Sequence, residues 1–142
     1  NSFCTLLGDS NEQMALDAAI VANDVDAVKK ALEQPGGKAD LNKPTEGGEV
    51  LLHKAIKAKN LQVARALLEA GANVNQPSDE RGTTKGYTAS HFAARAGDVD
   101  ALSLLAEFKA DLNRQAADGW APIHTACFSG KSNAARRIVE LG

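Results

Sequence analysis

The most informative stretch of the chain is Asp118-Gly119-Trp120-Ala121-Pro122-Ile123-His124-Thr125-Ala126-Cys127-Phe128-Ser129-Gly130. Its glycines, its histidine and its small residues return upstream in Gly86-Tyr87-Thr88-Ala89-Ser90-His91-Phe92-Ala93-Ala94-Arg95-Ala96-Gly97. His91 and His124 are 33 positions apart, and so are Gly86 and Gly119, a spacing within the range of about 20–50 residues that marks stacked repeats. The sequence therefore predicts a repeat array rather than a fold with a single unrepeated core.

The same pattern divides residues 1–142 into four units of one domain, at about residues 10–42, 45–77, 83–115 and 116–142. The second unit carries His53, whereas the first has Asp17 at the histidine position, as expected of an atypical terminal repeat. The spacing from His53 to His91 is longer than the period by the polar, turn-rich stretch at residues 78–85. That stretch is expected to extend an exposed turn, because such residues favour tight backbone turns.

With glycine, histidine and paired small residues in register at this period, the chain resembles the ankyrin-repeat family over roughly residues 10–142. The resemblance implies an all-α solenoid of stacked antiparallel helix pairs with projecting β-turn fingers. Lys59 and Lys109 stand where the family has glycine, and Ser90 stands where it has a core leucine. Lys59 is expected to alter its helix–helix turn locally, since a left-handed lysine costs about 1–2 kcal/mol. Thr88 is expected to cap a helix N-terminus.

Composition bounds the function. A chain of 142 residues with 44% hydrophobic and 4% aromatic content suits one domain of closely packed helices. A net charge of −2 gives no basic surface typical of nucleic-acid binding, and no stretch has the apolar length needed to insert in a membrane. No signal peptide is visible, although the start at Asn1 favours a piece cut from a longer protein.

Two cysteines, Cys4 and Cys127, lie near opposite ends of the chain and are predicted to be free thiols, with Cys127 a small buried core residue. Free thiols favour a reducing compartment, the cytoplasm or the nucleus, and delivery into a host cell stays open as an alternative.

The histidines invite a catalytic or metal-binding interpretation, which the repeat disfavours. Equivalent positions in neighbouring repeats lie about 10 Å apart, whereas zinc ligands must each approach within about 2.1 Å of one ion. We expect His53, His91 and His124 to be structural residues that bond the backbone. Ser90 and His91 are sequence neighbours on one helix and do not face each other. We therefore predict no metal, no cofactor and no enzymatic activity.

The resemblance implies that partners bind the finger tips and the concave face of the first helices. Carried over position by position, the predicted binding residues are Trp120, Tyr87, Phe128, Arg95, Lys85, Asp118, Lys57 and Glu49. Trp and Tyr dominate interface hot spots, so Trp120, Tyr87 and Phe128 are expected to form one exposed apolar strip with a polar rim. Arg137, at a position expected to face a following repeat, favours a terminal helix that faces water; an arginine snorkelling between repeats is the alternative.

These observations predict a protein–protein interaction module or scaffold, which binds a protein or peptide as a monomer, without nucleic acid. Two alternatives remain open at this stage. One is a targeting module of a larger enzyme, effector or signalling protein. The other is a solenoid that binds a small ligand or nucleic acid, which would show salt-dependent binding.

Overall fold

A computed structural model describes residues 18–20, 22–32, 50–79, 82 and 84–141 of the 142-residue chain. The described helices are α1 (Val25–Leu32), α2 (Leu51–Lys57), α3 (Leu61–Glu69), α4 (Ala89–Ala96), α5 (Val99–Glu107), α6 (Pro122–Phe128) and α7 (Ser132–Leu141). The fold is all-α, as predicted, with no strand among these residues. Residues 18–20 are also helical and precede α1.

The helices form two layers. In one layer the first helices of successive repeats, α2, α4 and α6, pack side by side; in the other, the second helices α1, α3, α5 and α7 do the same. Each first helix also packs on its own second helix. The core lies between the layers and is built from small and aliphatic residues, among them Leu51, Leu67, Leu102 and Leu105, which are all fully buried.

The turn between the two helices of a repeat is the same in all four units. Its key residue is left-handed in each, at Asn23 (φ 58°), Lys59 (φ 58°), Gly97 (φ 74°) and Gly130 (φ 70°). The following backbone amide reaches back to the first helix every time, as Asn60 N–H does to the Ala55 carbonyl at 3.0 Å. The expectation that Lys59 alters this turn is therefore wrong, because tertiary packing imposes the glycine conformation on lysine. Lys109 is also left-handed, with φ 64°.

Side-chain caps begin the second helices of the first three repeats. The Asn60 carboxamide accepts from Val63 N–H at 3.2 Å, the Asp98 carboxylate from Ala101 N–H at 3.1 Å, and the Asp24 carboxylate from Ala27 N–H at 3.0 Å. Such caps satisfy amides that a helix N-terminus would otherwise leave unpaired. The first repeat thus keeps the local chemistry of the second and third repeats although it lacks their histidine.

Each described finger closes with backbone hydrogen bonds. Ala116 N–H donates to the Trp120 carbonyl at 2.9 Å, and Ser78 N–H donates to the Tyr87 carbonyl at 2.7 Å. The same type of bond therefore closes each of the two fingers. The extra residues of the third repeat fall between Ser78 and Tyr87 in the sequence. Ala117 N–H donates to the Lys85 carbonyl at 3.1 Å and joins the two fingers directly.

The interpretation of Arg137 as a residue facing off the end of the stack is wrong. Its guanidinium donates to the Ser103 hydroxyl of α5 at 3.0 Å and pairs with Glu140 at 3.1 Å. Asn133, Arg136, Arg137 and Glu140 recur at helical spacing and line one side of α7, which faces the preceding repeat. Arg137 thus lies between repeats, as in the snorkelling alternative, and no longer argues for a terminal cap.

Candidate partner-binding face

His91 supports the finger that carries Trp120. Its Nδ1 accepts from Thr88 N–H at 3.1 Å, so its proton resides on Nε2, which donates to the Trp120 carbonyl at 2.8 Å. Burial lowers the pKa of His91 below 6.5, against the smaller opposing effects of the Trp120 carbonyl and of Asp118. The neutral imidazole therefore ties the start of α4 to the neighbouring finger, and Thr88 occupies the predicted N-cap position.

The other histidines have related structural roles. His53 Nε2 lies 3.0 Å from the Gln76 carbonyl, and His124 Nδ1 accepts from Ala121 N–H at 3.0 Å. All three histidines thus bond backbone groups, as the repeat pattern predicts. Within the part of the chain that the structure describes, no three His, Cys, Asp or Glu residues come together in a group able to hold a metal ion.

Trp120 and Phe128 form an exposed aromatic pair. Phe128 ends α6 and is 80% exposed, and Trp120 is half-buried in the finger of the same repeat. Their ring centroids are 5.1 Å apart at an interplanar angle of 64°, an edge-to-face arrangement that aromatic rings favour. Sequence reasoning expected both residues on this face, and the structure brings them into direct contact.

Asp118 connects the aromatic pair to the preceding finger. One carboxylate oxygen accepts from Trp120 N–H at 2.9 Å, and the other lies 3.5 Å from the Tyr87 hydroxyl. The carboxylate is therefore engaged in shaping the finger, besides being exposed on the rim. Its spacing two residues before Trp120 is the usual signal of an Asx turn, which could have revealed this role from sequence.

Tyr87 does not share the exposed edge expected for it. Its side chain is 6% exposed, and its ring stacks on His91 at 4.9 Å and meets Phe92 at 5.7 Å. The finger of the fourth repeat lies beside it, because Ala117 N–H donates to the Lys85 carbonyl and Asp118 lies 3.5 Å from the Tyr87 hydroxyl. The predicted three-residue strip is thus an exposed pair, and Tyr87 is a buried packing residue of the third repeat.

The charged residues predicted for this face are spread along it. Lys57 and Arg95 are exposed near the C-terminal ends of α2 and α4, at the positions that Phe128 occupies on α6. The Lys57 ammonium lies 4.5 Å from the centroid of the buried Phe92 ring, a cation–π contact. Lys85 is exposed on the finger of the third repeat. Glu49 lies outside the described residues.

Two nucleophilic side chains of the described first helices are Cys127 and Ser90. Cys127 is an exposed free thiol, so the prediction of a buried core cysteine is wrong. The equivalent residues Ala94 and Ile56 are buried because another helix pair packs over them. Among the described residues no further helix pair covers Cys127.

Ser90 is buried, and its hydroxyl has no hydrogen-bond partner within the described structure.

Two layers of short antiparallel helices, joined by repeated left-handed turns and flanked by bonded fingers, define a repeat solenoid with an open side face. The family model for ankyrin repeats matches residues 16–68, 52–106 and 90–139. The chain belongs to the ankyrin-repeat family. Repeats of this family are protein-interaction modules.

Curated relatives include larger proteins and regulatory subunits. The chain is 37% identical to human Rabankyrin-5 over 95 residues, which are 61% of this chain and 8% of that protein. It is 39% identical to rat protein phosphatase 1 regulatory subunit 12A over 80 residues, 56% of this chain and 7% of the relative. The probable 26S proteasome regulatory subunit p28 of Saccharomyces cerevisiae is 32% identical over 123 residues, 86% of this chain and 51% of the relative. The chain thus spans about half or less of each of these relatives.

Proposed function

We propose that this chain is a non-catalytic binding module that holds a partner polypeptide against the Trp120–Phe128 pair and the neighbouring first helices. The observation that carries the proposal is the exposure of Phe128, 80%, in contact with a half-buried tryptophan. A large apolar side chain exposed beside another aromatic ring is unfavourable in water and suits a site that a partner covers.

The support beneath the pair favours binding with little reorganisation. The Trp120 backbone is held by Asp118, by Ala116 and by His91 through three hydrogen bonds of 2.8–2.9 Å. A preorganised anchor loses less conformational freedom when a partner binds, so more of the contact free energy appears as affinity. The family's role as an interaction module and the relatives named as regulatory subunits agree with this function.

Other features bear on the setting of the module. Within the described residues no helix has the length and apolar character needed to cross a bilayer. An exposed free thiol at Cys127 supports a reducing compartment such as the cytoplasm or nucleus. Phe128 and Val139 are the large hydrophobic residues exposed within the described part, which leaves little apolar area for self-association and supports a monomer.

A displayed library of random peptides, selected against the purified chain, tests the proposal. The chain has a single tryptophan, so emission from Trp120 reports directly on the site when a selected peptide is titrated. We expect Phe128→Ala to lower the affinity for the selected peptides strongly. For Trp120→Ala, which removes the fluorophore, calorimetry should show a loss of at least about 2 kcal/mol of binding free energy. Circular dichroism should show both variants folded.

Two control variants sharpen this test. Val139→Ala removes the other large hydrophobic residue exposed within the described part, on α7, and Lys29→Ala changes an exposed residue of α1. Both should leave peptide affinity nearly unchanged. The proposal would be overturned if Phe128→Ala left peptide affinity unchanged while Lys29→Ala or Val139→Ala lowered it. That result would place the binding site on the second helices.

A further inference from the structure

The first helix of the fourth repeat leaves open a side that earlier repeats cover. Cys127 of α6 is exposed, whereas Ile56 and Ala94, which hold the same position on α2 and α4, are 1% and 0% exposed. Those two residues are buried because the first helix of the next repeat packs beside them, α4 on α2 and α6 on α4. Among the described residues no first helix follows α6, so Cys127 faces solvent.

The second helix of the fourth repeat shows the same difference. Val139 of α7 is 65% exposed, whereas its counterpart Leu68 on α3 is 5% exposed and its counterpart Ala106 on α5 is half-buried. Helix α5 packs on α3 and α7 packs on α5, and α7 is the last helix within the described part of the chain. Cys127 and Val139 thus mark the outer side of the fourth repeat, which corresponds to the surface that a neighbouring repeat covers earlier in the stack.

His124 leaves a donor on this outer side. Its Nδ1 accepts a backbone N–H, so its proton resides on Nε2. In the second repeat the equivalent Nε2 of His53 lies 3.0 Å from the Gln76 carbonyl, beyond the repeat's second helix. In the third repeat Nε2 of His91 donates to the Trp120 carbonyl, again beyond the second helix. His124 is exposed, and its Nε2–H has no acceptor among the described residues.

Arg136 leaves a second polar group unmatched. It lies twelve residues after the histidine of its repeat, as Arg65 and Ser103 do in theirs. Arg65 donates to Glu107 on the next second helix at 3.2 Å, and Ser103 accepts from Arg137 on the next second helix at 3.0 Å. Arg136 is exposed and makes no side-chain hydrogen bond or ion pair within the described residues. Exposed pairs of this kind add little free energy, so they indicate the register of a junction rather than its strength.

We infer that the outer side of the fourth repeat binds a fifth helix pair of the same kind, joined to the chain in sequence as the earlier pairs are. Apolar residues of that pair cover Cys127 and Val139. A backbone carbonyl of the segment that leads into the pair accepts from His124, and an acceptor on its second helix meets Arg136. The occupant is thus defined by an interface that the described repeats already form. A pair joined in sequence loses less freedom on docking than a separate molecule does.

This surface differs from the one in the proposed function. Lys57 and Arg95, which hold the position of Phe128 in the second and third repeats, stay exposed although repeats follow them. A fifth helix pair therefore leaves Phe128 open to a partner. Its finger lies beside Trp120, as the fourth finger lies beside the buried Tyr87.

An extended chain tests the inference. A copy of residues 72–109 appended after Gly142 begins at the same distance from His124 as the original segment does from His53. The copy brings the counterparts of the Gln76 carbonyl and of Glu107, and it contains neither cysteine nor tryptophan. The matched control appends the same residues in scrambled order. With Cys4→Ser in every variant, Cys127 is the only thiol of both extended chains.

The readout is the rate at which a thiol reagent modifies Cys127 under native conditions. We expect this rate to be at least about tenfold lower in the extended chain than in the scrambled control, because a covered group reacts only after local opening. Trp120 emission should shift to shorter wavelength as the added finger excludes water. A longer extension copies residues 72–142, with Phe and Ser replacing the copied tryptophan and cysteine, so that the added pair is itself covered. Unprotected Cys127 in both extensions would overturn the inference.

A variant of the outer side locates the docking surface. Val139→Lys should restore at least about half of the lost reactivity of Cys127 in the extended chain, because it buries a charge in the new junction. Lys29→Glu, on the exposed side of α1, should leave Cys127 protected. Equal reactivity of Cys127 in these two variants would overturn the inference. So would protection of Cys127 that rises with concentration in the original chain, since it would show that a second copy covers this side.

Discussion

The Nε2 atom of His91 lies 2.8 Å from the backbone carbonyl of Trp120, so one buried imidazole holds the finger that presents the exposed aromatic pair. The contact joins the third repeat to the fourth, and a second bond from Thr88 N–H to Nδ1 fixes the tautomer. The binding face thus depends on inter-repeat hydrogen bonds as well as on the residues that it exposes.

The first prediction concerns pH. Burial lowers the pKa of His91, so below pH 6.5 the unfolded chain binds a proton more readily than the folded chain. The contribution of neutral His91 is fully present above 6.5 and falls as the pH drops towards its folded pKa, by at most about 1.4 kcal/mol per pH unit. An NMR titration of the His91 ring should give a pKa below 6.5, with the Trp120 amide shifting in parallel. A measured value above 6.5 would contradict the assignment.

The second prediction concerns the left-handed turn at Lys59. Its φ of 58° is costly for a side chain with a Cβ atom, so Lys59→Gly should raise the free energy of unfolding by about 0.5–1 kcal/mol. Gly130→Ala is the converse control. An added Cβ atom at residue 130 meets no atom within 4 Å, so this variant tests backbone strain alone. Urea denaturation should show the two changes with opposite signs, and a loss of stability in Lys59→Gly would be evidence against the strain.

The third prediction concerns packing between the layers. Leu67 and Leu105 are fully buried at equivalent positions of α3 and α5. Replacing either by Ala should lower the free energy of unfolding by about 2–5 kcal/mol, since the substitution loses apolar burial and leaves a cavity. The exposed Val139→Ala variant should change it little. An unchanged denaturation midpoint in both leucine variants would refute the repeat register.

The fourth prediction concerns Ser90, whose buried hydroxyl lacks a partner within the described structure. Ser90→Ala removes an unsatisfied polar group and should stabilise the chain by about 1 kcal/mol. Thr125→Val is the matched control, because the buried Thr125 hydroxyl donates to the Ala121 carbonyl at 3.4 Å, and its loss should destabilise. Thermal melts of the two variants should move in opposite directions, and a lower melting temperature for Ser90→Ala would reveal a hidden partner.

Much of the fold follows from the sequence because the repeat makes one position inform another. His53, His91 and His124 return in register, and each bonds the backbone as the pattern predicts. Local chemistry also sufficed to place Thr88 at the N-cap position of α4. These features depend on residues close in sequence or on a repeat period that can be read from the sequence. They can therefore be predicted without knowing which residues pack together in the tertiary structure.

Burial was the property that equivalence in sequence could not decide. Tyr87 and Trp120 occupy the same position of adjacent repeats, yet Tyr87 is buried and Trp120 half-exposed. The finger of the fourth repeat lies beside Tyr87, with Asp118 3.5 Å from its hydroxyl, whereas no further finger follows Trp120 among the described residues. Cys127 and Ala94 are equivalent too, yet only Ala94 is covered by a following helix pair among the described residues.

The period of the sequence thus determined the fold class, the helices and the structural role of the histidines, since these depend on local chemistry and register. Tertiary structure alone decided that Trp120 and Phe128 meet, that Arg137 bonds the preceding repeat, and that Lys59 adopts a glycine-like backbone. The physical reason is that a residue's exposure and conformation in a stacked array depend on the repeat packed beside it, and that neighbour differs from one position of the stack to the next.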